Sequence, residues 1–344
     1  MNKKVLAGIY RSNSFISKSI KEQNPNVLLE LFKINPNKWK TFGIKNTSQI
    51  SNEIIKIFTD NNYVWHTIDN SSDRGRATDI KLTNPITGKP MTGSSSGTAI
   101  NVLYGLNTIG IGTDGGGSVL IPSISLNLYS VLLSGVGIKG IREKKSTDNI
   151  SFIPGIGIIA QNFQDLYGAS ILFLENKNYK KDIKISIDSV LSNTNYIKRL
   201  KRIYNLDIID TDKGLFYRED LIYELKNILY KYDIFIYIEE DIEVEGMGDS
   251  LVGILGKKAL DIQKKSNKRY AKVANMLNCS ALNIPTSSLG TSIVVLARKG
   301  KENLFYMLEI AKILNKEYRP KLFINYFLNY PLNNIDNRSF FNIF

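Results

Sequence analysis

Gly112-Thr113-Asp114-Gly115-Gly116-Gly117-Ser118-Val119-Leu120-Ile121-Pro122 is the stretch on which the reading of this chain turns. A strand-like run, Thr108 to Gly112, leads into it. Three consecutive glycines then make sense only where the backbone needs unusual φ/ψ values or a close approach. Successive N–H groups of such a loop can form a nest for an anion. If that anion is the oxygen of a tetrahedral intermediate, the loop is an oxyanion hole and Ser118 stands where it can attack. A tight turn or a phosphate loop would use the same residue types. Pro122 is able to begin a helix but would interrupt one already running.

A second small-residue segment lies upstream, Gly93-Ser94-Ser95-Ser96-Gly97-Thr98, followed by an apolar run from Ala99 to Leu106 that suits a helix. Dinucleotide-loop readings fail on context. Gly110 to Gly115 and Gly135 to Gly140 both match G-x-G-x-x-G formally, which shows how cheap the pattern is. The first lacks an uninterrupted helix and an acidic residue about 20 positions on. No G-x-x-x-x-G-K-[ST] loop occurs.

Outward from these loops, strands and helices alternate. A strand is expected over 26–35, ending at Lys33, then an amphipathic helix over Ser51 to Asn61 and a strand through Val64. Residues 69 to 93 read as loop. Ile156 to Ala160 is a strand candidate and Asn162 to Phe173 a helix. Helices are expected over 190–204, 219–231, 258–279 and 301–314, with strands over 233–238 and 293–297. This alternation argues α/β. No linker demands a second domain, so a single domain over 1–344 is expected.

Composition narrows the chemistry. The 344 residues are 43% hydrophobic and 22% charged, ordinary for a globular protein with a sizeable core. The net charge of +13 comes from dispersed lysines, with clusters only at Arg142 to Lys145 and Lys198 to Arg202. It reads as a generic basic surface. One cysteine, Cys279, excludes a disulfide framework, and with one histidine it excludes most zinc sites. Neither metal nor cofactor is expected. The N-terminal apolar stretch, Val5 to Tyr10, is too short for a secretory signal, and no run approaches the roughly 18 apolar residues of a membrane span. A cytoplasmic protein is the expectation. Any serine–histidine machine would have to use His66, which no nucleophile elbow accompanies. A structural role is expected for it, and a hydrolase built on this chain needs another base.

The two loops taken together resemble the amidase signature family. There a G-G-S-S-G-G segment precedes G-T-D-x-G-G-S-x-R-x-P, and 24 residues separate the two catalytic serines, as they separate Ser94 from Ser118 here. Asn84-Pro85, the segment from Gly157 to Leu166 and that from Asn278 to Pro285 are similar to further family segments, so the likeness runs over about 25–315. The resemblance implies a large twisted mixed sheet covered by helices on both faces. It also implies an amidase that cleaves a carboxamide C–N bond through a Ser118 acyl-enzyme. Ser94, held through a cis peptide in the family, relays the proton to a buried neutral lysine. Desolvation lowers a lysine's pKa, which is how such a site dispenses with histidine. For that lysine Lys33 is the expectation, at the end of its strand and before Thr41-Phe42-Gly43, with Lys18 second. The oxyanion hole carries over to the N–H groups of Gly115, Gly116, Gly117 and Ser118, with Thr113 and Asp114 shaping the loop.

The chain departs from the family at Leu120, where an arginine helps hold the loop aspartate, so Asp114 needs another partner. Ser96 replaces a glycine, and Ala281 and Asn283 stand for the later Gly and Pro. The expected partner is a small-molecule amide, with no membrane. A homodimer, RNA or a further protein as partner stays open. So do two other functions, a non-catalytic basic scaffold on the same fold and a glutamine-hydrolysing amidotransferase A-type subunit.

Overall fold

The computed structural model describes residues 3–175, 179, 182–315 and 319–328. Its strands in chain order are β1 (Ile20–Gln23), β2 (Lys40–Lys45), β3 (Tyr63–Asp69), β4 (Thr78–Thr83), β5 (Pro90–Thr92), β6 (Ile109–Asp114), β7 (Tyr129–Leu132), β8 (Lys144–Lys145), β9 (Ser151–Phe152), β10 (Gly155–Ala160), β11 (Ile185–Asp188), β12 (Leu206–Ile209), β13 (Ile234–Glu239), β14 (Ser280–Pro285) and β15 (Ser292–Ala297). Eleven of them form one mixed sheet in the order β1-β3-β2-β6-β10-β7-β14-β15-β13-β11-β12. The β4–β5 and β8–β9 pairs stand outside it as two small antiparallel ribbons. The α-helices are α1 (Lys3–Ser12), α2 (Val27–Leu31), α3 (Asn52–Asp60), α4 (Ser96–Leu103), α5 (Leu120–Ser125), α6 (Phe163–Ser170), α7 (Arg218–Lys231), α8 (Ser250–Gly253), α9 (Lys257–Lys264), α10 (Lys301–Leu314) and the short α11 (Lys321–Phe323).

The central strands are buried on both faces, so apolar residues follow one another in them rather than alternating with exposed polar ones, and the buried polar Ser130 and Asn283 bond each other. Ile109, Ile111, Ile156, Ile158 and Val131 face α3, α6 and α10, through Ile54, Phe58, Leu166, Leu304 and Met307. On the other face Leu132, Phe235, Tyr237, Val294 and Leu296 pack against α5 and α7, and Ile159 against α4. Each such side chain contributes roughly 1.5–3 kcal/mol by leaving water.

Four expectations fail. The apolar run at 26–35 is not a strand but the helix α2, because Val27 and Leu31, four apart, both reach the core beside Trp39 and Val64 while Leu28 and Leu29 are exposed. Residues 69–93 contain the β4–β5 ribbon. Over 190–204 there is no long helix, only 3₁₀ turns at Ser189–Leu191 and Leu200–Arg202. The helix expected to 279 stops at Lys264; Asn267 turns the chain with φ 58° and a 3₁₀ turn follows at Tyr270–Lys272. No described helix is long and apolar enough to cross a membrane.

Candidate active site

Strands β2 and β6 run parallel, with Phe42, Gly43 and Ile44 opposite Ile109, Gly110 and Ile111. Their C-terminal ends therefore deliver Lys45 and Thr113 side by side. The start of α4 reaches the same point because β6 carries glycine where the helix crosses. A Cβ on Gly110 would stand 2.4 Å from the Thr98 methyl, and one on Gly112 2.7 Å from Ser95 Oγ. With no side chains there, Ser94 and Ser95 come down onto the strand, and Ser95 Oγ donates to the Thr113 carbonyl at 3.4 Å.

The consequence is a buried lysine cluster. Lys45, 5% exposed, donates from Nζ to Ser94 Oγ at 2.7 Å and to Thr113 Oγ1 at 2.9 Å. Burial, then the charge of Lys144, brings its pKa from 10.5 down to about 7, against the opposing pull of Asp114. Lys45 is half neutral near neutrality.

Ser118 opens on the same cleft, a cavity of about 860 Å³ also lined by Lys45, Ser94, Thr113, Gly115 and Gly116. The loop before it is held by Asp114, fully buried, whose carboxylate accepts from the N–H groups of Gly117 (2.6 Å), Val119 (2.7 Å) and Leu120 (3.2 Å). Gly117 adopts φ +93°, which only glycine takes without strain. Asp114 thus finds its partners on the turn it organises, and Leu120 is fully buried in the apolar cluster on α5. Burial raises the Asp114 pKa while the three amides and Lys45 oppose it.

The structure brings Ser94, Ser118, Thr113 and Asp114 together but not Lys33. Lys33 is exposed just beyond α2 and outside the cleft, as is Lys18 on the surface. The lysine beside Ser94 is Lys45. The sequence carried its signal: Phe42-Gly43-Ile44-Lys45-Asn46 is an apolar run ending in lysine and then asparagine, the strand-end pattern sought at 33. The expected oxyanion donors also need correction at Gly117, whose N–H is committed to Asp114. Among the described residues the amides of Gly115, Gly116 and Ser118 have no such partner. No described peptide bond is cis, so the bond before Ser94 is trans here. His66 lies elsewhere, 1% exposed, with its ring nitrogens 3.2 Å from Ser12 Oγ and 2.8 Å from Asn107 Oδ1.

No protein-family model and no curated protein matches the chain. Solved structures do. A 6-aminohexanoate cyclic dimer hydrolase in complex with substrate superposes with a TM-score of 0.67 at 12% identity, over 94% of this chain and 96% of the other. The A-type subunit of the glutamyl-tRNA(Gln) amidotransferase from Thermotoga maritima gives 0.61 at 14% identity, covering 91% and 90%. The peptide amidase of Stenotrophomonas maltophilia gives 0.59 at 11% identity, covering 90% and 93%. The shared architecture spans nearly the whole of each chain, and the protein therefore has the amidase signature fold.

Proposed function

We propose that this protein is an amide hydrolase working through a Ser118 acyl-enzyme, with Ser94 as relay and Lys45 as base. The observation that carries the reading is the 2.7 Å hydrogen bond between Ser94 Oγ and a buried lysine whose pKa has fallen to about 7. A neutral amine at that position can accept a proton, which an ordinary surface lysine cannot do at physiological pH.

In this reading Ser118 Oγ attacks the amide carbonyl carbon while its proton passes to Ser94 Oγ and that of Ser94 to Lys45 Nζ. The carbonyl oxygen becomes an oxyanion facing the amides of Gly115, Gly116 and Ser118. Collapse breaks the C–N bond, and the departing amine recovers the proton from Lys45 through Ser94. Water then attacks the acyl-enzyme by the same relay, releasing the acid and restoring Ser118.

The test is a panel of primary amides and aryl amides, followed with and without hydroxylamine. An acyl-enzyme partitions to the hydroxamate at a ratio independent of the leaving amine, and Ser118→Ala abolishes both products. Hydrolysis surviving in Ser118→Ala, or a well-folded wild type inert on every amide, would overturn the proposal.

A further inference from the structure

The cluster Arg142 to Lys145 belongs to a ribbon clamped onto the nucleophile loop. Lys144 and Lys145 form β8, paired with Phe152 and Ser151 of β9. A Cβ on Gly115 would stand 2.2 Å from the Phe152 ring, so that ring lies where any side chain at 115 would be. At the tip, Asp148 accepts both Arg218 Nη1 contacts, at 2.7 and 2.8 Å, and Arg218 Nη2 lies 3.3 Å from the Cβ position of Gly116. Phe152 and Arg218 thus fix the ribbon against the two glycines at the start of the nucleophile loop.

Seven basic residues and three acidic ones line the cleft. Most are spoken for. Arg76 pairs with Asp249 at 2.8 Å, Lys81 with Asp73 at 3.5 Å, and Arg218 with Asp148, while Lys45 belongs to the proton relay. The remaining carboxylate, Asp79, accepts the Ser96 hydroxyl at 2.5 Å and the Lys81 amide at 3.0 Å. Arg74, Lys144 and Lys145 are left without a carboxylate within 4.0 Å among the described residues, each opening on the cleft. Unpaired like charges on a clamped wall repel one another and offer charge-assisted hydrogen bonds to an anion.

Resting on the hydrolase reading above, we propose that the substrate is an amide bearing a carboxylate, held by Lys144 and Lys145 of the ribbon together with Arg74. Lys144 already depresses the basicity of Lys45, so a carboxylate seated on it acts on the base as well as on affinity. Binding then favours proton uptake at Lys45.

The experiment measures equilibrium binding to the Ser118→Ala protein, which cannot turn over, using two matched pairs. Succinyl 4-nitroanilide against butyryl 4-nitroanilide places the carboxylate on the acyl side, and 4-acetamidobenzoate against acetanilide places it on the amine side. We expect the charged member of one pair to bind about ten-fold more tightly or better, as a charge-assisted hydrogen bond allows. That pair identifies the side of the scissile bond. The preference should vanish in Lys144→Gln/Lys145→Gln and shrink as NaCl is raised, while neutral ligands are indifferent to salt. Equal binding within both pairs, no binding of any of the four, or a preference that survives the double substitution and high salt would overturn the proposal. Turnover by the wild type is scored separately, so binding without hydrolysis sinks the hydrolase reading alone.

Discussion

Replacing Lys45 with methionine, of similar length and no charge, separates two consequences of the same buried amine. The folded pKa is about 7 against 10.5 for the ordinary group. The folded state therefore binds fewer protons than the unfolded state between those values, and stability from this group rises with pH across that window. Below pH 7 the penalty for charging a buried lysine is fully present. At 1.36 kcal/mol per pKa unit the penalty differs by about 4 kcal/mol between pH 6 and pH 10. Lys45→Met removes that dependence. It also leaves Ser94 Oγ and Thr113 Oγ1 short of a partner, a pH-independent loss of about 1–3 kcal/mol. Melting temperature of the variant minus wild type should thus be most positive near pH 6 and decline steadily toward pH 10. Activity moves the other way: removal of a general base costs about 10²–10⁴-fold. The rate at which a fluorophosphonate labels Ser118 should fall by that factor and lose its acid limb near pH 7. A melting difference flat with pH, or an unchanged labelling profile, would refute the assignment of Lys45 as a buried neutral base.

Four further substitutions have outcomes set by the geometry. Lys144→Ala removes the charge that depresses Lys45 and moves the acid limb of the labelling rate to higher pH, whereas Asp114→Asn removes an opposing charge and moves it lower. Asp114→Asn also turns an amide donor toward backbone N–H groups and should cost about 2–4 kcal/mol in denaturant unfolding. Gly112→Ala puts a methyl 2.7 Å from Ser95 Oγ, lifting the start of α4 from β6, and should slow labelling at least about ten-fold with a visible drop in melting temperature. Lys33→Ala, on the surface, should leave the labelling rate within about two-fold of wild type.

The centre of the fold was legible because the loops around Ser94 and Ser118 are built from residues with few other uses. Three glycines, an aspartate and a serine mark a turn of unusual backbone, and it is the 24-residue spacing back to Ser94, with α4 and β6 between, that ties the turn to the family pattern. The strands at 155–160, 234–239 and 292–297 were legible as apolar runs of strand length. The lysine was not, because Val27 to Phe32 is apolar enough to pass for a strand while only Val27 and Leu31 reach the core. Once that segment is the helix α2, the next strand is β2 and its last residue is Lys45. Leu120 stands where the resemblance has an arginine, and in space Asp114 takes its hydrogen bonds from its own turn. The unpaired cations were not legible as a group for a different reason: Lys144 and Lys145 come to the cleft through contacts distant in sequence, among them Phe152 on Gly115, Asp148 on Arg218 and Gln49 on the Arg142 amide.

Treating the purified protein with a fluorophosphonate, reading its intact mass and mapping the modified peptide tests the central claim most directly. We expect one phosphonyl group per chain, on Ser118, absent in Ser118→Ala and strongly slowed in Lys45→Met. A folded wild type that takes up no label, or a label that maps to another serine, would contradict it.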